Sequence, residues 1–394
     1  MTGPRSIDLH HVLVPLRKPI RHASFERDHS DNFVVRVTLG DGTVGYGEGV
    51  PRDYVTGETI ESCFASLANF DLPRALGGPA DVGAVARSLE RLTLPETEAD
   101  PRGMAGNSAR SGLELALMDA YGRRLGVSVG AILREFESAR GLLAPRAMPV
   151  RYSGAITSDS PRGERVSAWK MRIYGFAQVK VKVGVQGQDD PARLDRIRRI
   201  LGQGMDIRID ANEAWSAAEL IERVSPLRRF RPTALEQPLS RDEDEALAGL
   251  RPRLGVPVML DESLCGYPDA ARAIERGTAD LLNVRISKCG GISTSLKIMA
   301  LARRSGLGVQ LGCHPGESGL LSAAGRHLAS HVAGLRYVEG SYDRHILASN
   351  LTAGDVTFRY GGRAMPLTGP GLGVAVDPEA LGRMTVAHRE VRYD

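Results

Sequence analysis

The stretch Gln178–Val183, QVKVKV, decides how this chain folds. Valine alternates with a polar residue, so the stretch is a strand. Its two lysines, Lys180 and Lys182, share one face and the valines share the other. Working outward, the texture recurs. Short apolar runs lie at Met148–Ile156, Asp206–Asp210, Ala234–Gln237, Pro257–Asp261, Leu281–Ile286, Gly308–Gly312 and Arg336–Glu339. Helical patterns separate them, as at Pro191–Leu201, Ala217–Val224, Pro268–Arg276 and Ser293–Ser305. Eight strands alternating with helices predict an α/β fold with a parallel sheet, and eight predicts closure into a TIM-type barrel with both lysines facing inward. A doubly wound open sheet is the competing architecture. Against it stands the lack of a Gly-x-Gly-x-x-Gly turn after the first strand.

Upstream, Phe33–Leu39 alternates, Gly40-Asp41-Gly42 is a hairpin signal and Val44–Gly49 resumes the strand. The strongest helical pattern is Ser108–Leu125, with Leu113, Leu115, Ala116, Met118 and Ala120 clustered before Gly126. Residues 1–135 are expected to form an α+β capping domain and 136–345 the barrel. Residues 346–394 are expected to return and pack on the cap.

Composition bounds the function. The chain has 394 residues, 42% hydrophobic and 25% charged, as in a soluble globular protein. It contains no run of about 18 uncharged apolar residues, so no membrane span or membrane partner is expected. Asp8, His10 and His11 stand where a signal peptide would be apolar, which points to the cytoplasm. Cys63, Cys265, Cys289 and Cys313 are far apart, which favours free thiols over disulfides or a thiolate zinc site. The net charge of +4 is spread along the chain without a basic stripe, so no nucleic-acid partner is expected. Of 51 Lys and Arg, only six are Lys: 18, 170, 180, 182, 288 and 297. A retained Lys marks a task Arg cannot do, the clearest being to give up a proton.

The strand ends carry the chemistry. Lys182, Asp210, Glu236, Asp261, Lys288 and Cys313 succeed one another at steps of 28, 26, 25, 27 and 25 residues, one β/α unit each. They therefore lie at one level of a barrel, at the end where active sites of this fold sit. Three carboxylates, Asp210, Glu236 and Asp261, converging there would repel one another unless a cation held them. Oxygen-only donors point to Mg²⁺ or Mn²⁺. Two ammonium groups as close as Lys180 and Lys182 are expected to lower each other's pKa, bringing Lys182 toward a general base. Lys288, on the sixth strand, lies across the barrel from the second. Two lysines on opposite sides of a metal could take a proton from one face of a carbon and return it on the other. The metal would stabilise the enediolate formed beside a carboxylate.

As an ordered set, Lys180-Val181-Lys182, Asp210-Ala211-Asn212, Glu236-Gln237-Pro238, Asp261-Glu262-Ser263 and Lys288-Cys289-Gly290-Gly291 resemble the enolase superfamily, in its muconate-lactonizing-enzyme subgroup. The resemblance extends to Gly45–Val50 and to Thr56-Gly57-Glu58-Thr59. It implies a (β/α)7β barrel under an α+β cap, with Asp210, Glu236 and Asp261 as Mg²⁺ ligands. Lys182 and Lys288 become the acid/base pair, and Lys180 tunes Lys182 and touches the substrate carboxylate. Cap loops near Ile20–Phe25 and Pro51–Thr56 would set specificity, with Arg21, His22, Asp53 and Tyr54 as substrate contacts. Asn212, Glu317 and His314 join that set, Glu317 being expected within reach of Lys288. The implied partner is a small carboxylate substrate, and homo-oligomers are common in the family.

The subgroup spans muconate cycloisomerases, o-succinylbenzoate synthases, N-acylamino acid racemases and dipeptide epimerases. Racemisation or epimerisation of an amino-acid derivative leads, since both lysines are present. Val55–Thr59 resembles dipeptide epimerases. Yet Glu339-Gly340-Ser341, with Asp343 beyond, stands where those enzymes carry Asp-x-Asp for the dipeptide ammonium. A muconate-type cycloisomerase and an o-succinylbenzoate synthase-like dehydratase are alternatives. A Schiff-base lyase and a non-catalytic binding barrel are the readings from other classes.

Overall fold

The computed structural model describes residues 3–21, 26–95, 106–158 and 160–393. The strands, in chain order, are β1 (Pro4–Arg21), β2 (Glu26–Leu39), β3 (Val44–Gly49), β4 (Val150–Arg151), β5 (Gly154–Ile156), β6 (Gln178–Lys182), β7 (Asp206–Asp210), β8 (Leu235–Glu236), β9 (Val258–Leu260), β10 (Leu281–Val284), β11 (Gly308–Leu311), β12 (Tyr337–Val338), β13 (Arg363–Ala364) and β14 (Thr385–Arg392).

The cap is an antiparallel sheet in the order β14-β1-β2-β3. Its β2–β3 hairpin stands where the alternation and the Gly40–Gly42 signal put it, and the chain end returns as β14 along β1. The long β1 is absent from the expectation for a physical reason. Ile7 and Leu9 are buried, then Val12 and Val14. The buried phase changes from odd to even across an irregularity in the β1–β14 register at His11/Val12, which disguises the alternation.

In β3, Gly45, Gly47 and Gly49 lie on one face, against the helix Asn107–Leu125. A Cβ on Gly47 would come within 2.1 Å of Gly112 O and 2.4 Å of Ala116 N, both backbone atoms that cannot swing aside. Gly47→Ala is therefore expected to separate sheet from helix. The cost should reach about 3 kcal/mol, checked by urea denaturation against the wild type.

The second sheet runs β12-β11-β10-β9-β8-β7-β6-β5, every pairing parallel and every neighbour sequential. That order has no topological switch point, so the doubly wound alternative falls. Across the seam, Ser153 N–H donates to Val338 O at 2.8 Å, joining the first strand to the last. Two expected elements are shorter than read. Met148–Ile156 divides: β4 pairs antiparallel with β13 and only β5 enters the barrel. Ala217–Val224 shrinks to an α-helical turn and a half at Leu220–Val224, continued as a 3₁₀ segment Ser225–Phe230 with Pro226 in its first turn.

Inside the barrel, Ala234, Met259, Leu281 and Tyr337 form a small apolar cluster. Two residues further along the same strands, on the same inward face, stand Glu236, Asp261, Asn283 and Glu339. The change from apolar to polar along each strand creates the site floor.

Cap and barrel are joined through polar side chains. Glu48, at the end of β3, accepts from Ser318 N–H (2.9 Å), Ser318 Oγ (2.6 Å) and Leu321 N–H (3.0 Å) at the start of the helix Gly319–His331. A carboxylate there satisfies donors the helix leaves unpaired. Asn107 Nδ2 donates to Cys265 O and Lys288 O at 2.7 and 2.8 Å, which fixes the chain around Lys288 to the cap. No helix of the described residues is long and apolar enough to cross a membrane.

Candidate active site

Lys180 and Lys182 end β6, Asp210 ends β7 and Glu236 ends β8, with Lys182 paired to Asp210 and Asp210 to Glu236 in register. Asp261 follows β9, Lys288 follows β10, His314 and Glu317 follow β11 and Glu339 follows β12. The expected common level is thus realised, since parallel strands in register bring their C-terminal ends to one rim.

Lys180 Nζ lies 3.3 Å from Asp210 Oδ2, 3.4 Å from Glu236 Oε1 and 3.1 Å from Glu339 Oε1. Burial alone would lower its pKa, but Glu236, Glu339 and Asp210 together raise it well above the usual lysine value. The expectation of two mutually depressed lysines is corrected here: carboxylates, not Lys182, dominate the surroundings of Lys180. Lys182 is half-buried, and among the described residues its Nζ has no ion-pair or hydrogen-bond partner. Lys288 is fully buried; its Nζ donates to Asp261 Oδ1 (2.7 Å), Asp261 O (2.6 Å) and Asn283 O (3.2 Å). All three donors of its ammonium are used, and Glu317 is not among the acceptors. The expected Lys288–Glu317 contact gives way to a bond from His314 N–H to Glu317 Oε1 at 2.7 Å.

The carboxylates are close but do not converge. Among the described residues no three His, Cys, Asp or Glu side chains stand near enough together to hold a metal ion. The reason is local: Asp261 is turned onto Arg285 and Lys288, and Lys180 stands between Asp210, Glu236 and Glu339. The donor chemistry nevertheless fits a hard divalent cation. Glu236 Oε2 is buried without a hydrogen-bond partner, as is Oε2 of the neighbouring Glu262. Burial, with Asp210, Glu339 and Asp261 adding to it against Lys180, pushes the Glu236 carboxyl up to about 8. Burial, then Asp261 and Asp210, do the same for Glu262. Carboxyls that cannot ionise together are those a cation would serve.

The substrate-side residues divide. Asn212 adopts a left-handed φ of 42°, so that its N–H meets Asp210 Oδ1 (3.1 Å) and its Nδ2 meets Glu262 Oε1 (3.1 Å). Tyr54 is at the exposed edge of the cap and accepts from Arg27 Nη2 at 2.8 Å. The side chain of Arg21 and the whole of His22 lie outside the described residues. His314 is buried, its Nδ1 without a hydrogen-bond partner. Burial first, then Arg285, Arg52, Lys288 and Arg27, hold it neutral, well below the usual histidine pKa. Burial and Glu48 push Glu317 up to about 8. Two narrow clefts open between the loops after β11 and β12, beside Glu317.

Three supporting residues escaped the sequence reading. Arg208, fully buried, pairs with Glu339 and stacks over Tyr337 at 4.8 Å. Asn283 Nδ2 donates to Glu236 Oε1 at 2.8 Å, and Arg285 holds Asp261. All three stand on the inward phase of strands already recognised, two residues from a functional or apolar layer. The alternation contained them.

A barrel rim of paired carboxylates and opposed lysines under a docked cap defines a class of carbon-acid isomerases, and the comparisons agree. The family model for the mandelate racemase / muconate lactonizing enzyme N-terminal domain matches residues 5–133, and that for the enolase C-terminal domain-like barrel matches residues 164–380. The chain belongs to this family of the enolase superfamily and is an isomerase. It is 30% identical over 313 residues to the L-Ala-D/L-Glu epimerase of Clostridium acetobutylicum, covering 78% of this chain and 82% of that one. It is 26% identical to the N-succinyl-L-Arg/Lys racemase of Bacillus cereus, over 98% and 99% of the two chains. The crystal structure of the Bacillus cereus racemase superposes with a TM-score of 0.84 at 25% identity, over 99% of this chain and 100% of that one. A dipeptide epimerase from Cytophaga hutchinsonii, solved with Mg and D-Ala-L-Val, shares the fold (TM-score 0.81, 24% identity, 99% of this chain and 100% of that one). Members of this superfamily use Mg²⁺.

Proposed function

We propose that this isomerase inverts the α-carbon of an N-substituted amino acid, by removing the α-proton on one face and returning a proton on the other. The observation that carries it is the placement of Lys182 and Lys288. Lys182 ends β6 and Lys288 follows β10, strands four apart in an eight-stranded barrel and therefore diametrically opposed. Asp210, Glu236 and Asp261 between them are the residues that would hold Mg²⁺, or Mn²⁺ in its place. Bound there, the cation supplies positive charge against the negative charge that gathers on the substrate carboxylate as the α-proton leaves. Lys180, kept charged by its three carboxylate neighbours, would orient that carboxylate. Lys182 Nζ has no competing partner to release and acts as base on one face. Lys288, with its ammonium protons directed by Asp261 and Asn283, acts as acid on the other, and the roles reverse for the opposite enantiomer.

The cap, residues 1–135, closes the mouth over the barrel of 136–345, and 346–394 ties the two through β14. Asn212, His314, Glu317, Tyr54 and Arg21 would line the substrate. The four free cysteines support a cytoplasmic location. Val166, Trp169 and Ile173, exposed along one helix face, support a homo-oligomer.

The test is deuterium incorporation. With Mg²⁺ in D₂O, the protein is expected to exchange the α-proton of N-acylamino acids or dipeptides, and EDTA is expected to stop it. Lactone formation from muconates without any α-exchange would replace this reading with a cycloisomerase.

A further inference from the structure

The inward phase of β10 runs on past the end of the strand. Leu281 and Asn283 face the barrel interior, and Arg285 stands two residues further on the same phase. The chain then turns, with Cys289 N–H donating to Arg285 O at 2.9 Å, and Lys288 lies within that turn. Both cations grip Asp261, Lys288 Nζ on Oδ1 at 2.7 Å and Arg285 Nη2 on Oδ2. Only one of the two reaches solvent. The Arg285 side chain is 12% exposed, as is that of Lys180, whereas that of Lys288 is 0% exposed.

Asp261 does not by itself account for Arg285. Lys288 already neutralises that carboxylate, so the guanidinium is a second cation on one anion. Among the described residues its one hydrogen bond goes to Asp261, and its Nε is buried without a partner. A guanidinium has about five N–H donors in one plane, and buried donors are ordinarily satisfied. Most of this fork is unspent, and what completes it is a planar oxyanion. Its surroundings place it at the mouth. Beyond Asp261, its electrostatic neighbours are Glu262, Glu236 and Glu339, and it acts in turn on His314, Cys313 and Glu317. Lys180 ends the strand on the far side, since β6 and β10 are four apart.

We propose that Arg285 is a catalytic residue that holds the substrate carboxylate from the side opposite Lys180, with Asp261 as its place-holder until a divalent cation claims that side chain. This rests on the reading given under Proposed function and adds a residue to it. Asp261 is one of the three carboxylates that would hold the cation, and a guanidinium on its Oδ2 competes for the same oxygen. Giving up Asp261 frees the fork for the mouth. The substrate carboxylate then lies between two positive charges, Lys180 and Arg285. Both hold it more strongly as the α-proton leaves and its negative charge grows. Arg285 supplies no proton, because a guanidinium does not give one up. Lys288 keeps the role of acid.

Two readouts on the full chain test this: Mg²⁺ affinity by calorimetry without substrate, and α-proton exchange at saturating Mg²⁺. Arg285→Met removes the competing cation, so Mg²⁺ should bind at least about ten-fold more tightly. Exchange should nevertheless fall at least about 100-fold, more in kcat than in KM. Arg285→Gln, which keeps a planar amide but not the charge, should move both readouts the same way and decides if Arg285→Met does not fold. An arginine with a purely structural role would give the opposite sign, weaker Mg²⁺ binding together with a lower melting temperature. Mg²⁺ bound no more tightly in the variant, or exchange above about a tenth of wild type, overturns the proposal and leaves the isomerase reading standing. Wild-type exchange on no N-acylamino acid and no dipeptide overturns that reading instead, and the Mg²⁺ comparison still decides whether Arg285 competes for Asp261.

Discussion

Lys182→Ala is expected to lower α-proton exchange by at least about 10³-fold while leaving the fold and Mg²⁺ affinity intact. The side chain stands at the end of β6, half-buried, and among the described residues its Nζ is free of ion pairs. Removing it disrupts no observed contact of its Nζ, so stability should change little. Its neighbour behaves differently. Lys180 holds three carboxylates, and its removal would leave them facing one another. Lys180→Ala should therefore disturb both stability and metal binding, and Lys182→Ala neither. Circular dichroism and calorimetric Mg²⁺ titration separate the two variants from loss of chemistry. A Lys182→Ala enzyme retaining more than a tenth of wild-type exchange would remove Lys182 from the reaction.

The second large effect concerns Glu236 and is read by stability. Its carboxyl is raised from 4.5 to about 8 by burial, then by Asp210, Glu339 and Asp261, against the pull of Lys180. A carboxyl raised on folding binds its proton more tightly in the folded state. Its contribution is present below the unfolded value and is lost as pH rises through the folded one. The metal-free protein is therefore expected to lose melting temperature between about pH 5 and pH 8. Glu262 and Glu317 act in the same direction. Mg²⁺ should restore stability most strongly at the alkaline end, by about 2.7 kcal/mol at a hundred times Kd. Glu236→Gln removes one ionising group from that cluster and one oxygen anion from the donor set. It should weaken Mg²⁺ binding by at least about 100-fold while flattening the alkaline loss. A Glu236→Gln protein that melts and binds Mg²⁺ as the wild type does would exclude Glu236 as a ligand.

What could be read from the sequence followed periodicity. Residues such as Lys182, Asp210 and Glu236 announce themselves because a β/α unit repeats every 25 to 28 residues and parallel strands align their ends. β1 did not, because the irregularity at His11/Val12 shifts its buried phase. Neither did the split of β4 from β5, since pairing with β13 depends on a segment some two hundred residues away. At the site, spacing yields the level of each residue but not the direction of its head group. Asp261 occupies the expected position yet faces Arg285 and Lys288, and Glu317 bonds the His314 amide rather than Lys288. Such pairings depend on which cation happens to be nearest in space.

The central claim is that two opposed lysines exchange a proton across one carbon. The direct test follows a single enantiomer of an N-acylamino acid in D₂O with Mg²⁺, resolving both enantiomers by chiral chromatography and mass spectrometry at early times. The account predicts deuterium in the newly formed enantiomer while the remaining starting enantiomer is still largely protiated, since each base delivers its own proton. Equal early deuteration of both enantiomers would contradict it, because that pattern belongs to one base serving both faces.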